Sequence, residues 1–256
     1  MSRNLDRWVG GALISRVEVL DPRVVRGGDL RRAVGHRVQR VWRRAKYAVL
    51  DLEDGGHLVF HFRMTGKVVR RSGTGRVRLR LHAGEIQVSF EDPRCLGEIW
   101  WQPADGLEAF FGGRNLGPEP WPAMRKGEWW SAQLGGLRGP IKTALMRQDR
   151  VAGIGNILAS EACWRAGLDP ACPVPSLSAS EWAGLAAAMR HTIEHTLAAE
   201  SGEEIQYVNQ GGEGSFSVYG RAGQACPRCG GLIERMVQSG RGTYLCPACQ
   251  PSSECR

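Results

Sequence analysis

Cys226-Pro-Arg-Cys229 and Cys246-Pro-Ala-Cys249 are two Cys-x-x-Cys pairs with sixteen residues between them. Four thiolates at this spacing can take the corners of a tetrahedron around one Zn2+, a closed structural site with no open coordination position. Four unrelated reduced thiols are the alternative. Between the pairs lies Gly240-Arg241-Gly242-Thr243-Tyr244, a basic, hairpin-like stretch. Zinc ribbons staple many unrelated proteins, so the cysteines do not name a function. A second candidate is Gly153-Ile154-Gly155-Asn156, directly ahead of a helical stretch. Glycines there let the backbone come close to a ligand, and the exposed N–H groups and positive dipole end suit an anion such as a DNA phosphate. A plain packing joint between two helices fits the segment equally.

These residues need elements to hold them. In the first half, residues 46–53 and 57–64 flank Asp54-Gly55-Gly56, a hairpin signal. Val77, Leu79 and Leu81 alternate with Arg78, Arg80 and His82, then turn at Ala83-Gly84-Glu85 into Ile86, Val88 and Phe90. The alternation predicts a half-buried antiparallel sheet with its arginines on the solvated face. Gly117-Pro118-Glu119-Pro120-Trp121-Pro122 can continue neither a helix nor a central strand and reads as a linker. Beyond it the period changes. Ser178 and Glu181 form a capping box ahead of Trp182, Leu185, Met189, Ile193 and Leu197 at helical spacing, with Gly202 as the stop. Ile141 to Arg147 reads as a helix, interrupted by the glycine turn and resumed over Ile157 to Ala166, with Asn156 as N-cap and Gly167 at the end.

The chain has 256 residues, enough for two modest domains with cores of their own. Its 34 Lys+Arg against 26 Asp+Glu, a net charge of +8, point to a polyanionic partner, with a bland basic surface as the alternative. No apolar run is long enough to span a bilayer and no signal-peptide pattern opens the chain, so no membrane partner is expected. One zinc site plus Cys95, Cys163, Cys172 and Cys255 as free thiols suits a reducing compartment, the cytoplasm.

Taken together, Lys142-Thr-Ala-Leu-Met, Gly153-Ile-Gly-Asn156-Ile-Leu-Ala-Ser-Glu161, Val218-Tyr219-Gly220-Arg221 and the terminal ribbon resemble the formamidopyrimidine-DNA glycosylase/endonuclease VIII family. Arg43-Arg-Ala-Lys46-Tyr47, His61-Phe-Arg-Met64-Thr-Gly66 and Asp92-Pro-Arg94 match its N-terminal domain in the same order, so the resemblance covers essentially the whole chain. It implies a multi-domain α+β fold: an N-terminal antiparallel β-sandwich with a flanking helix, a helix–two-turn–helix domain and a C-terminal zinc-finger β-hairpin, with DNA gripped between domains. The expected division is 1–116 for the β-sandwich, 117–122 for the linker, 123–222 for the helical domain with a lesion-capping loop, 223–250 for the zinc finger and 251–256 for a tail. The implied activity is base-excision repair by a monomer on damaged double-stranded DNA. An oxidised base (8-oxoguanine or formamidopyrimidine) is flipped out and displaced by an amine, and β,δ-elimination then nicks the strand.

The resemblance assigns roles residue by residue. Lys46 matches a lysine that assists proton transfer in β-elimination, and Arg241 the zinc-finger arginine that contacts phosphate and promotes the second elimination. Asn156 and Lys142 match groups that hold the phosphates beside the flipped nucleotide, and Arg138 falls where another DNA-contacting cation lies. Met64, Arg94 and Leu96 match the three residues that fill the hole left by the lesion, Leu96 as an apolar wedge. Arg76 falls in the place of a DNA-binding histidine of the family, and residues 206–216 where the family has its capping loop. Cys226, Cys229, Cys246 and Cys249 hold the zinc. At its start the sequence departs from the family: Met1-Ser2-Arg3-Asn4 stands where the first helix is already under way, without the Pro-Glu that supplies amine and carboxylate. Two expectations follow, a start codon assigned too far downstream or a paralogue that binds damaged DNA without cleaving it. A zinc-ribbon module for RNA or protein is a third reading, one that would not need Lys46, Arg241 and the Gly-x-Gly-Asn turn together.

Overall fold

The period-two pattern of the first half folds into two sheets, and the period-3.6 pattern of the second into packed helices. The computed structural model describes residues 1–70, 75–123, 125–199 and 216–252. These fall into two compact units, Met1–Asn115 and the part that starts at Leu116.

The first unit opens with α1 (Ser2–Val9), followed by β1 (Ile14–Val19), β2 (Val25–Gly27), β3 (Val38–Arg44), β4 (Tyr47–Leu52), β5 (His57–His61), β6 (Lys67–Val69), β7 (Val77–Ala83), β8 (Ile86–Glu91) and β9 (Glu98–Gln102), and closes with α2 (Gly106–Gly112). One sheet runs β1-β7-β8-β6 and the other β2-β9-β5-β4-β3; pairing is antiparallel except between β2 and β9. They form a β-sandwich in which Phe60 of β5 and Phe90 of β8, both buried, meet with ring centroids 6.4 Å apart. Fully burying such a side chain contributes about 1.5–3 kcal/mol. Leu5, Trp8 and Val9 give α1 its buried face, and the Val41 amide donates to Asp6 Oδ1 at 2.6 Å, tying the helix to β3. At the other end Phe110 of α2 packs on Val49 and Val59.

The hairpin at residues 54–56 forms as its composition predicts: Gly55 sits at φ 84° and the Gly56 amide donates to Asp54 Oδ1. Arg78 departs from the pattern. Although it alternates with Val77 and Leu79, it is wholly buried, because Asp21 and Asp92 lie within reach of its guanidinium at 3.2 and 3.3 Å. A cation can leave water when carboxylates and carbonyls replace its hydration shell.

The second unit holds α3 (Gly127–Leu134), α4 (Ile141–Leu145), α5 (Asn156–Ala166), α6 (Ala179–Ala199), β10 (Glu234–Gln238) and β11 (Arg241–Leu245). Its core gathers Trp130, Leu134, Ile141, Leu145, Leu185 and Met189 from α3, α4 and α6. Helix α6 starts on the predicted box: the Ser178 amide donates to Glu181 Oε2 at 2.7 Å, and the Glu181 amide donates to Ser178 Oγ at 3.3 Å. Gly167 closes α5 in the left-handed conformation, at φ 71°. Two expectations are corrected. Helix α4 ends at Leu145 rather than Arg147, since Gln148 organises the turn that follows. Gly155, not Asn156, caps α5, and the Asn156 amide is bonded elsewhere.

Candidate nucleic-acid interface and metal-ligand cluster

In the second unit the four cysteines converge. Their Sγ atoms all lie within 4.8 Å of one another, with Cys226–Cys249 at 3.8 Å and Cys229–Cys246 at 3.5 Å. A tetrahedron with metal–sulfur bonds of about 2.3 Å has edges of about 3.8 Å, so the donor set fits one zinc ion. The cluster is seated on α5. Trp164 packs with Val218, Cys226, Ile233 and Cys246, and the Arg228 guanidinium lies 4.4 Å from the Trp164 ring centroid. Gln250 accepts from the Cys246 amide at 2.9 Å and donates to the Leu168 carbonyl at 2.7 Å.

The hairpin between the cysteine pairs turns at Ser239 and Gly240, at φ 49° and 72°, the signs of a type I′ turn. This leaves Arg241 exposed at the start of β11 while Thr243, two residues on, is wholly buried. Beneath it runs a chain of donors. Lys142 Nζ donates to Thr243 Oγ1 at 2.8 Å, Thr243 Oγ1 to Gln238 Oε1 at 3.0 Å, and Gln238 Nε2 to the Pro170 carbonyl at 3.1 Å. Asn156 Nδ2 donates to the Gly242 carbonyl at 2.8 Å. Lys142, Asn156 and Arg241, far apart in sequence, thus meet at one strand. Burial lowers the Lys142 pKa to about 8; Cys163 pulls it back up and the nearby Arg241 pushes it further down. Arg138 is exposed in the turn before α4.

The glycine turn ahead of α5 is held by one side chain. Gln148 Nε2 donates to the Met146 and Ile154 carbonyls, and the Gly153 amide donates to Gln148 Oε1 at 3.0 Å. Gly153 sits at φ 97°, where a side chain would be strained. Glu161, buried on α5, accepts from the Ser217, Val218 and Tyr219 amides at 2.8–2.9 Å. Arg221 Nη1 closes the same loop by donating to the Ser217 carbonyl at 2.9 Å. Gln148, Thr243 and Gln250 were not foreseen, nor was the part Glu161 plays, although Glu161 stands inside the motif that begins at Gly153. The stretch expected to form the capping loop, residues 206–216, lies outside the described residues except for Phe216, as does Cys255.

The first unit presents its own set. Lys46 is exposed in the two-residue turn joining β3 to β4, beside Ala45 at φ 51°, and Arg43 Nη1 donates to the Ala45 carbonyl at 2.8 Å. His61, paired across the ladder with Tyr47, has its pKa lowered to about 4, first by burial and then by Arg63, so it is neutral at pH 7. Met64, Arg94 and Leu96 are exposed on two neighbouring loops, and Arg94 Nη1 lies 3.6 Å from Met64 Sδ. Arg76 is exposed ahead of β7, 3.8 Å from Asp21.

Comparison with known proteins matches each part. Residues 1–99 match the family model for the formamidopyrimidine-DNA glycosylase N-terminal domain, residues 116–207 that for its H2TH domain, and residues 223–251 that for the zinc finger found in FPG and IleRS. The formamidopyrimidine-DNA glycosylase of Pelotomaculum thermopropionicum is 32% identical over 262 residues, covering 97% of this chain and 95% of its own. That of Cereibacter sphaeroides is 35% identical over 278 residues, covering 97% and 96%. The crystal structure of the MutM (Fpg) protein from Thermus thermophilus superposes with a TM-score of 0.85 at 32% identity, covering 97% of this chain and 95% of that one. A Lactococcus lactis Fpg in complex with Fapy-dG-containing DNA gives 0.85 at 27% identity, covering 98% and 97%. No helix among the described residues is long and apolar enough to cross a membrane.

Proposed function

Since the chain belongs to the formamidopyrimidine-DNA glycosylase family, we propose that it is a base-excision repair glycosylase and AP lyase, a monomer that flips oxidised bases out of double-stranded DNA and nicks the strand by β,δ-elimination. The observation that carries this reading is the meeting of Asn156, Lys142 and Arg241 at β11. Arg241 offers a fork of donors to a phosphate, Asn156 retains a second amide hydrogen, and Lys142 adds positive charge from below. Lys46 is exposed on its turn, where a proton-transfer group could reach a bound nucleotide. Neutral His61 stands in the same unit and adds no competing charge. Met64, Arg94 and Leu96 are assigned to the space left by the flipped nucleotide. One zinc held by Cys226, Cys229, Cys246 and Cys249 supplies structure rather than chemistry: it orders a hairpin too small for a core of its own, and thereby Arg241.

The test is binding to a duplex carrying an abasic-site analogue, compared with the intact duplex. Affinity should fall steeply with salt and favour the abasic duplex, and Asn156→Ala should weaken it by roughly 1–3 kcal/mol through a lost charge-assisted bond. Excision of 8-oxoguanine and borohydride trapping are then read on a denaturing gel, for these 256 residues and for the same chain preceded by a Pro-Glu-Leu-Pro-Glu-Val-type start. Excision by the extended chain is the expected result. Equal affinity for intact and abasic duplex would overturn the flipped-nucleotide site. An extended chain that binds the lesion but stays inert would favour the non-cleaving paralogue.

A further inference from the structure

Met64, Arg94 and Leu96 sit on surface loops, where side chains are ordinarily mobile, yet the bases of those loops are tied together in the interior. Asp92 is wholly buried, and its carboxylate is shared among three elements. Oδ1 accepts from Thr65 Oγ1 at 2.5 Å, in the loop that carries Met64. Oδ2 accepts from the Gly97 amide at 2.6 Å, closing the loop that carries Arg94 and Leu96. Oδ2 also accepts from Arg78 Nη1 at 3.3 Å.

Arg78 extends the tie in two directions. Its Nη1 also donates to the Gly97 carbonyl at 2.9 Å and its Nε to Asp21 Oδ2 at 3.2 Å. Asp21 is clamped in turn by Arg23, whose Nε and Nη2 donate to it at 2.9 Å. That clamp, with Arg78 beside it, holds the Asp21 carboxyl far below the usual range. The loop has no slack where it closes: a Cβ on Gly97 would stand 2.4 Å from Phe90 Cζ and 3.2 Å from Asp92 Oδ2. Between its two anchors, Cys95 is held at φ 56°, so Arg94 and Leu96 project from a bent backbone.

We propose that Asp92 and Arg78, with Thr65 and Asp21, form a buried polar strut that positions Met64, Arg94 and Leu96 as one unit; this rests on reading those three as the residues that fill the space of the flipped nucleotide. An apolar residue at position 78 could fill the same volume, but it could not bond the Gly97 carbonyl or balance Asp92. A charge buried at this cost therefore has a geometric consequence, which is to fix two loops against each other. Arg78 and Thr65 are positioning residues: Arg78 is wholly buried, Thr65 is half-buried with its hydroxyl turned to Asp92, and their effect passes through the loops.

The experiment uses the whole chain and two duplexes, one intact and one with an abasic analogue opposite 2-aminopurine. Fluorescence of 2-aminopurine reports stacking by an inserted side chain, which a change in overall stability would not mimic at a temperature where every variant is folded. Arg78→Met and Thr65→Val should bind the intact duplex within about twofold of the parent. Their preference for the abasic duplex should fall about tenfold, the equivalent of one lost buried hydrogen bond, and the 2-aminopurine response should vanish. Thr65→Ser, which keeps the hydroxyl, should restore both. Should Arg78→Met fail to fold, the Thr65→Val and Thr65→Ser pair decides the matter. Folded variants that keep the abasic preference and the fluorescence response would overturn the strut. A parent without any abasic preference would instead overturn the reading of the site, and the strut with it.

Discussion

Glu161→Gln offers a measurement of how the helical unit holds the loop that leads into the zinc finger. The carboxylate is 3% exposed, and its two oxygens accept three backbone amides: Val218 and Tyr219 on Oε1 at 2.9 Å, and Ser217 on Oε2 at 2.8 Å. Glutamine has the same shape but only one acceptor. With its oxygen in the place of Oε1, two bonds survive as neutral ones and the Ser217 amide faces an NH2 group. Hydrogen bonds to a charged partner are worth about 1.5–3 kcal/mol and neutral ones about 0.5–1.5 kcal/mol, so losing one and weakening two costs on the order of 3–5 kcal/mol locally. Much of that can be relieved by letting residues 217–219 come away, so the expected effect is local opening rather than unfolding. Hydrogen–deuterium exchange should show the amides of Ser217 to Tyr219 exchanging at least roughly a hundredfold faster, while α6 is unchanged. Tyr219 packs on Tyr244 with ring centroids 5.0 Å apart, three residues along β11 from Arg241, so affinity for the abasic duplex should fall as well. A folded Glu161→Gln protein whose loop amides exchange at the parent's rate would refute the account of these bonds.

Two further perturbations address the metal and the buried lysine. Cys246→Ser should release zinc, measured by elemental analysis, and abolish tight DNA binding; a variant that keeps one zinc and full affinity would remove the site from consideration. Lys142, with its pKa lowered to about 8 in the folded chain from 10.5, has a charged form disfavoured by folding but favoured by a bound phosphate. At fixed ionic strength, affinity should therefore decline as pH rises through about 8, whereas the stability linked to this group should be complete above 10.5 and lost as pH falls through about 8, by about 3 kcal/mol in all; a Lys142→Met control should lack both trends.

What could be read in advance was whatever local rules decide. The Ser178–Glu181 box and the Gly167 stop found their places because each depends on residues a few positions apart, and the cysteines did because a metal-ligand spacing is itself a pattern along the chain. Arg78 shows where such rules end. Period two assigned it to solvent, but its partners stand 57 and 14 positions away in sequence, and only the closed sandwich brings them to one point. Lys142 is the same case, since Thr243 lies 101 residues on. Asn156 has the composition of an N-cap, yet a long-range acceptor, the Gly242 carbonyl, claims its amide and leaves the cap to Gly155. In each instance the residue type was informative about the chemistry and silent about the partner.

A common physical logic links these buried polar groups. Five of the residues assigned to DNA stand on or beside turns: Lys46 beside Ala45 at φ 51°, Met64 after Arg63 at φ 55°, Arg94 and Leu96 either side of Cys95 at φ 56°, and Arg241 after Ser239 at φ 49° and Gly240 at φ 72°. Non-glycine residues in the left-handed region are held there by their surroundings, because the conformation is disfavoured on its own. Apolar packing cannot supply that hold, since a turn exposes backbone N–H and C=O groups that need directional partners. Arg43, Asp92 and Arg78 provide those partners in the first unit and Asn156 in the second, where Lys142 adds a bond to the Thr243 hydroxyl. A side chain that must enter a duplex gains from a base that does not move, because ordering it on binding would consume affinity. Buried charge under an exposed wedge is thus what a chain needs when its working residues lie on loops and their geometry has to be set before DNA arrives.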